Sequence, residues 1–189
     1  MKLIEKTVSS REIYSGKILE LKLDEIERGD GGHSKREVVV HHGGVCVAAL
    51  TDDGDILMVN QYRYATGGTL LELPAGKLEA GEDDPAHAAL RELSEETGAK
   101  PKFLYDLGWF YPSPGYTTEK IYMYAADGIS FGRQHLDSGE FLDVMRVPFD
   151  EAVRCVLSGG YHDAKTDFAI LKLSHFKNVG MPEPILTLV

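Results

Sequence analysis

The sequence holds no run of apolar residues approaching the ~20 needed to span a bilayer. Its first residues, Met1 to Arg11, alternate charged and apolar side chains and lack the apolar stretch of a signal peptide. Cysteine is scarce: Cys46 and Cys155 could make one bridge at most. Both lie in apolar runs, so buried free thiols in a reducing compartment are expected. Basic charge is also short, with 20 Lys and Arg against 30 Asp and Glu and a net charge of −10. Such a chain repels a polyanion at long range, which argues against general nucleic-acid or anionic-membrane binding. A small anionic ligand is not excluded, because a few local arginines or a bound cation reverse the local field. Internal repeats, low-complexity tracts and a basic DNA-binding appendage are missing. What remains is 189 residues, one domain or one with a small addition, able to bury about 70% of the unfolded surface without disulfides. A soluble, globular, cytoplasmic protein is expected.

The chain before Gly32 reads as strand-rich: Leu3 to Val8, Ile13 to Tyr14, then Ile18 to Arg28, where Leu19, Leu21 and Leu23 alternate as in a half-buried strand. Gly29-Asp30-Gly31-Gly32 makes a turn. Strands are expected at Glu37 to Val40, Val45 to Leu50, Ile56 to Gln61 and Thr69 to Leu73, with Asp52-Asp53-Gly54-Asp55 resembling a hairpin turn. The clearest helix runs from Asp84 to Thr97: Asp84 suits the N-cap, Pro85 the first helical position and Gly98 the C-terminal cap. Ala86, Ala89, Leu90 and Leu93 would form its buried stripe. Later strands fit Phe103 to Tyr111, Lys120 to Ala126 and Leu142 to Val147, and helices fit Phe149 to Leu157 and Asp163 to Phe176. The expected class is a mixed sheet packed with a few helices.

Acidic residues crowd the stretch from Glu72 to Glu96. Glu92, Glu95 and Glu96 lie at i, i+3 and i+4 and are expected to project from one helix face, away from the apolar stripe. Like charges at that spacing cost a helix a few tenths of a kcal/mol unless a cation joins them. Arg91 reaches Glu95 at i+4, which leaves Glu92 and Glu96 free. Carboxylates without histidine or thiol are hard oxygen ligands, suited to Mg²⁺ or Mn²⁺ rather than Zn²⁺. His41 and His42 cannot chelate together, because neighbouring strand side chains point to opposite faces; His87 is expected to face solvent.

Gly76-Lys77-Leu78-Glu79-Ala80-Gly81-Glu82 followed by Arg91-Glu92-Leu93-Ser94-Glu95-Glu96-Thr97-Gly98 resembles the Nudix box, in which Gly, five residues, Glu and seven residues precede Arg-Glu-apolar-x-Glu-Glu-x-Gly. Eight residues separate Glu82 from Arg91 here, and the extra one lies at Asp83-Asp84, just before the helix. Either Glu82 or Asp83 could fill the first acidic position. Phe110-Tyr111-Pro112-Ser113-Pro114-Gly115 is similar to a marker of the ADP-ribose pyrophosphatase subgroup, and Arg36-Glu37-Val38-Val39 and Asn60-Gln61-Tyr62-Arg63 to segments of that subgroup whose arginines meet a diphosphate. Each arginine could instead make a surface ion pair.

The resemblance implies a Nudix α/β/α sandwich with a mixed sheet (41–189), plus a small N-terminal antiparallel β subdomain (1–40) exchanged across a homodimer. It implies Mg²⁺-dependent hydrolysis of ADP-ribose, or a similar ADP-sugar, to AMP and ribose 5-phosphate. The implied metal ligands are the carbonyl of Ala75 and the carboxylates of Glu92, Glu96 and Glu140, with Glu95 in support; Mn²⁺ could replace Mg²⁺. The implied substrate contacts are Arg36, Arg63, Ser113, Pro114, Gly115 and Glu119. Tyr14 is the candidate to stack on adenine from the partner chain, or else a half-buried strand tyrosine. The subgroup usually carries a Glu, often the general base, where this sequence has Ser138. A hydroxyl has no suitable pKa for that role, so Glu140 is the first candidate base, with Asp137 or Glu95 as substitutes. The alternatives are another nucleoside-diphosphate-sugar diphosphatase, for example one acting on GDP-mannose, or a non-catalytic nucleotide-binding regulator.

Overall fold

The computed structural model describes residues 3–79, 81–137 and 139–188, and they divide into two compact units. The first comprises the residues up to Gly43 together with Tyr111–Lys120. Its strands β1 (Glu5–Ser15), β2 (Leu19–Arg28) and β3 (His33–His41) form an antiparallel meander in that order. The two apolar pieces expected for β1 are one strand, with register shifts between Thr7 and Ser9 and between Glu12 and Tyr14. Such bulges let a single strand change its facing residues without ending. The glycine turn closes β2 onto β3, with Gly31 N–H donating to Arg28 O at 2.9 Å and Gly31 at φ +83°. The 111–120 segment, expected with the catalytic part, joins this unit through Val39 N–H to Tyr116 O at 2.8 Å and Thr118 N–H to Val39 O at 2.9 Å.

The second unit contains β4 (Gly44–Ala49), β5 (Asp55–Arg63), β6 (Gly68–Glu72), β7 (Ala75–Lys77), α1 (Pro85–Thr97), β8 (Ala99–Lys100) and β9 (Phe103–Phe110). It continues with β10 (Ile121–Asp127), β11 (Ser130–Phe131), β12 (Leu142–Pro148), α2 (Phe149–Leu157), α3 (Ala164–Val179) and β13 (Leu186–Thr187). A five-stranded mixed sheet runs β13-β9-β10-β4-β7, with β10 and β4 parallel; a three-stranded antiparallel sheet runs β12-β5-β6. The pair β11-β8 completes the set among the described residues.

Period-two alternation in the central strands creates two cores. Val45, Val47 and Ala49 of β4 and Tyr124 and Ala126 of β10 pack with Ala88, Ala89 and Leu93 of α1. Cys46 and Ala48 of β4 and Met123 and Ala125 of β10 point the other way, onto Ala152 of α2 and Ala169, Ile170 and Leu173 of α3. Because β4 is covered on both faces, all six of its residues are buried. Helices on both faces of a mixed sheet are the α/β/α sandwich expected from the sequence. The Asp52–Asp55 turn is a tight corner, not a hairpin: Leu50 and Ile56 form one isolated bridge, and β4 and β5 belong to different sheets. Among the described residues no helix is long and apolar enough to cross a membrane. Both cysteines are free, Cys46 buried and Cys155 partly so.

Candidate active site

Helix α1 is fixed at both ends by local chemistry. Asp84 accepts from the N–H groups of Ala86 and His87, Pro85 occupies the first turn, and Gly98 takes φ +70° with its N–H on Ser94 O. The carbonyls left over at its C-terminus are met by the following loop: Gly132 N–H donates to Gly98 O at 2.7 Å, His135 N–H to Glu95 O at 3.0 Å and Gln134 Nε2 to Glu96 O at 2.5 Å. That loop also carries Glu140, whose N–H donates to Asp137 O. His87 is exposed, as expected, with Nδ1 2.7 Å from Asp84.

Two features of the acidic face differ from expectation. The buried stripe of α1 is Ala88, Ala89 and Leu93 and extends to Glu96 and Thr97, while Ala86 and Leu90 are only partly covered. Glu96 is therefore 2% exposed and not outward-facing. Its Oε2 accepts from Ala75 N–H at 2.9 Å, across to β7. Glu92 is not free either, because Arg91 Nη1 donates to it at 2.8 Å as well as to Glu95 at 3.0 Å. The same guanidinium reaches Glu82 at 3.1 Å through Nη2, so Glu82, and not Asp83, fills the first acidic position of the box. The extra residue at Asp83-Asp84 is absorbed ahead of the cap without moving Arg91 off Glu82. Gly76 has no Cβ for a physical reason: one placed there would overlap the Glu92 carboxylate.

Burial pushes the Glu96 carboxyl up to about 8; the Ala75 N–H opposes the shift, and the charges of Glu92 and Glu140 add to it. Burial also raises Glu92, with Arg91 opposing and Glu95 and Glu140 adding. Glu140 is exposed yet within electrostatic range of both. Two carboxylates raised by burial and by neighbouring carboxylates are groups that a cation would return to the charged form. Among the described residues no three His, Cys, Asp or Glu side chains converge as a preformed metal cage. A pair of carboxylates offers hard oxygen ligands of the kind a divalent cation takes. Ala75, whose carbonyl was the expected ligand, sits on β7 opposite Cys46 of β4. Ser138 lies outside the described residues.

Arg63 is committed to a partner that the sequence did not suggest. Its Nε and Nη2 donate to the two oxygens of Glu72 at 2.7 and 2.8 Å. Glu72 is 1% exposed and also accepts from Lys165 Nζ, which bonds Asp163 Oδ2 at 3.0 Å. Burial opposes charge on Glu72, but Arg63 and Lys165 overcome it and hold the carboxyl below its ordinary value. Asp163 caps α3 by accepting from Thr166 N–H and Oγ1, and that hydroxyl accepts from Leu73 N–H at 2.8 Å. The signal in the sequence was an ionisable Glu72 inside the otherwise apolar run Leu70 to Leu73.

The remaining candidates belong to the first unit. Arg36 forms an ion pair with Glu5 through Nε (2.9 Å) and Nη2, the alternative left open for it above. Tyr14 is exposed, its ring folded over Gly16. Ser113 O accepts from Tyr116 and Thr117 N–H groups, forming a turn whose tip is the exposed Pro114-Gly115. Glu119 lies 3.7 Å from His41 Nδ1, which itself accepts from Gly43 N–H.

Residues 40–166 match the NUDIX domain, and residues 5–39 match the nucleoside diphosphate sugar hydrolase N-terminal domain. An ADP-ribose pyrophosphatase of Bacillus subtilis (strain 168) is 44% identical over 168 residues, covering 88% of this chain and 90% of that protein. A methanol dehydrogenase activator of Bacillus methanolicus is 42% identical over 168 residues with the same coverage. A crystal structure of an ADP compounds hydrolase superposes with a TM-score of 0.81 over 93% of this chain and 96% of the other, at 19% identity, a likeness of fold. Box, fold and relatives agree: the chain belongs to the Nudix family and, within it, to the hydrolases of the ADP-ribose pyrophosphatase subgroup.

Proposed function

We propose that the protein hydrolyses the diphosphate of ADP-ribose to AMP and ribose 5-phosphate in the presence of Mg²⁺. The observation that carries this reading is the Glu92–Glu96 pair beside β7, Glu96 buried and Glu92 half-buried, both raised in pKa. Glu92, Glu96 and the Ala75 carbonyl would hold the ion, with Glu95 oriented beside them by Arg91. When bound, Mg²⁺ would neutralise diphosphate oxygens and acidify water at neutral pH. Arg63 keeps the Nη1 side of its fork outside the pairing with Glu72, which supports the reading of that side as a donor to phosphate oxygens. Water attacks one phosphorus, the bridging oxygen leaves with the other phosphate, and Glu140 accepts the water's proton. Exposure suits Glu140 to this role, since a solvated carboxylate can take and release a proton each cycle. Glu140 as a further metal ligand belongs to the same proposal.

Arg36, Tyr14, Ser113, Pro114, Gly115 and Glu119 are assigned to the nucleotide and its sugar, and the N-terminal strands (1–40) to exchange in a homodimer with the 41–189 part as catalytic domain. The cytoplasm is the proposed compartment, which two free thiols suit.

The decisive experiment incubates the protein with ADP-ribose, ADP-glucose, GDP-mannose and NADH, each with and without Mg²⁺, and identifies the products. AMP and ribose 5-phosphate formed fastest from ADP-ribose, and only with Mg²⁺, is the expected result. Faster cleavage of GDP-mannose would reassign the substrate, and binding without cleavage would mark a regulator. Glu140→Gln should lower kcat by roughly 10²-fold or more; a loss of only a few-fold would move the base to Asp137 or Glu95.

A further inference from the structure

Glu72 is a buried carboxylate with two cationic partners, and the second is not needed to neutralise it. Arg63 alone, bonded through Nε and Nη2, balances its charge. Lys165 adds a second cation on Oε2 and is itself held by Asp163, so the four groups form a line: Arg63, Glu72, Lys165, Asp163. One end is partly open to solvent, with the Arg63 side chain 37% exposed, while Glu72 at its centre is 1% exposed. The other end is rooted in the first turn of α3, where Asp163 also fixes Thr166 and Thr166 fixes Leu73, the residue after Glu72.

We infer that Lys165 is a positioning residue for substrate: its ammonium, held between Glu72 and Asp163, fixes the carboxylate that in turn fixes the Arg63 guanidinium. Sharing the Glu72 charge with Lys165 leaves more of the Arg63 charge uncompensated, available to a diphosphate at the Nη1 side. Without Lys165, Glu72 and Asp163 repel each other across the gap, and Glu72 turns wholly onto Arg63. Lys165 touches neither substrate nor reacting atoms in this arrangement; it acts through Glu72. The inference rests on the hydrolase reading above and on Arg63 as a phosphate contact.

The test is a double-mutant cycle of Lys165→Met and Arg63→Ala, read as kcat and KM for ADP-ribose with Mg²⁺. Lys165→Met should raise KM about tenfold and change kcat less than about threefold, the signature of lost binding shared by ground and transition states. In the Arg63→Ala background the same change should move KM less than about twofold, because its route is already cut. Lys165→Arg, which keeps the charge, should hold KM within about threefold of wild type. Equal KM effects in both backgrounds, or a lowered Tm with KM unchanged, would overturn the inference and leave Lys165 a purely structural residue. If the methionine variant does not fold, Lys165→Gln, which keeps donors without charge, takes its place in the cycle with the same expectations. Should wild type cleave none of the nucleotide sugars, the hydrolase reading falls by itself. The cycle is then read as the Kd of ADP-ribose by calorimetry, where additive effects, or no binding by wild type, overturn the positioning role.

Discussion

Glu96 shows how one side chain sets stability against activity. Its folded-state pKa of about 8 lies above the ordinary value of 4.5. Between those values the fold holds a proton that the unfolded chain has released. The neutral group's contribution is therefore complete below about pH 4.5 and is lost as pH rises toward 8. Metal-free protein should lose Tm across that window. Glu96→Gln, which retains an oxygen for the Ala75 N–H and leaves only Glu92 raised, should lose less, and at pH 8 it should be more stable by about 1–2 kcal/mol, or about 2–8 °C. Its Mg²⁺-dependent turnover should fall by roughly 10²-fold or more. Thermal scans at pH 5 and pH 8, with and without Mg²⁺, check this; parallel wild-type and variant profiles would refute it. Grouping the carboxylates by charge misreads the buried Glu96 as exposed, although Ala89, Leu93 and Glu96 stand at i, i+4 and i+7 on one stripe. The Glu72–Lys165 contact was not legible, because its partners lie 93 residues apart and no local pattern joins them.

At the scale of elements, α1 and its two neighbours do the positioning. Asp84→Ala should cost about 1 kcal/mol through the lost cap. Gly98→Ala should cost more, because it forces φ +70° on an L-residue and brings a Cβ to 2.7 Å from Gly132 O. Urea titrations of both variants measure the difference, and a smaller loss for Gly98→Ala would mean that the 132–135 loop yields easily. Gly76→Ala acts otherwise: its Cβ displaces the Glu92 carboxylate, so kcat should collapse while the circular dichroism spectrum stays wild-type. The ends of α1 could be read from the sequence because caps are chemistry within four residues. The two- and three-residue strands β7, β8, β11 and β13 could not, since a strand that short exists only by its partners. The Asp52–Asp55 corner misled for a related reason: turn residues announce a reversal without saying to which sheet the chain returns.

At the scale of the whole molecule, β1 presents only exposed residues, among them Val8, Ile13 and Tyr14, with Leu3 and Ile4 just before it. Exposed apolar side chains in that number on one strand are what the proposed exchange across a homodimer would cover. The proposed homodimer should sediment at twice 20.9 kDa, and Val8→Asp with Ile13→Asp should shift it to monomer; a wild-type monomer at micromolar concentration would remove the dimer from the proposal. The sandwich and its acidic box were readable because alternation and spacing are local, whereas the grouping of Tyr111–Lys120 with the N-terminal strands depends on contacts to Val39 that no local pattern encodes. The parallel pairing of β4 with β10 has a consequence for biosynthesis. β1, β2 and β3 can close as each emerges, but β4, apolar on both faces, has no parallel mate until Ile121–Asp127 has been made. At roughly 5–20 residues per second, a ribosome leaves that strand waiting for seconds, with only the short β7 beside it and its other apolar edge open.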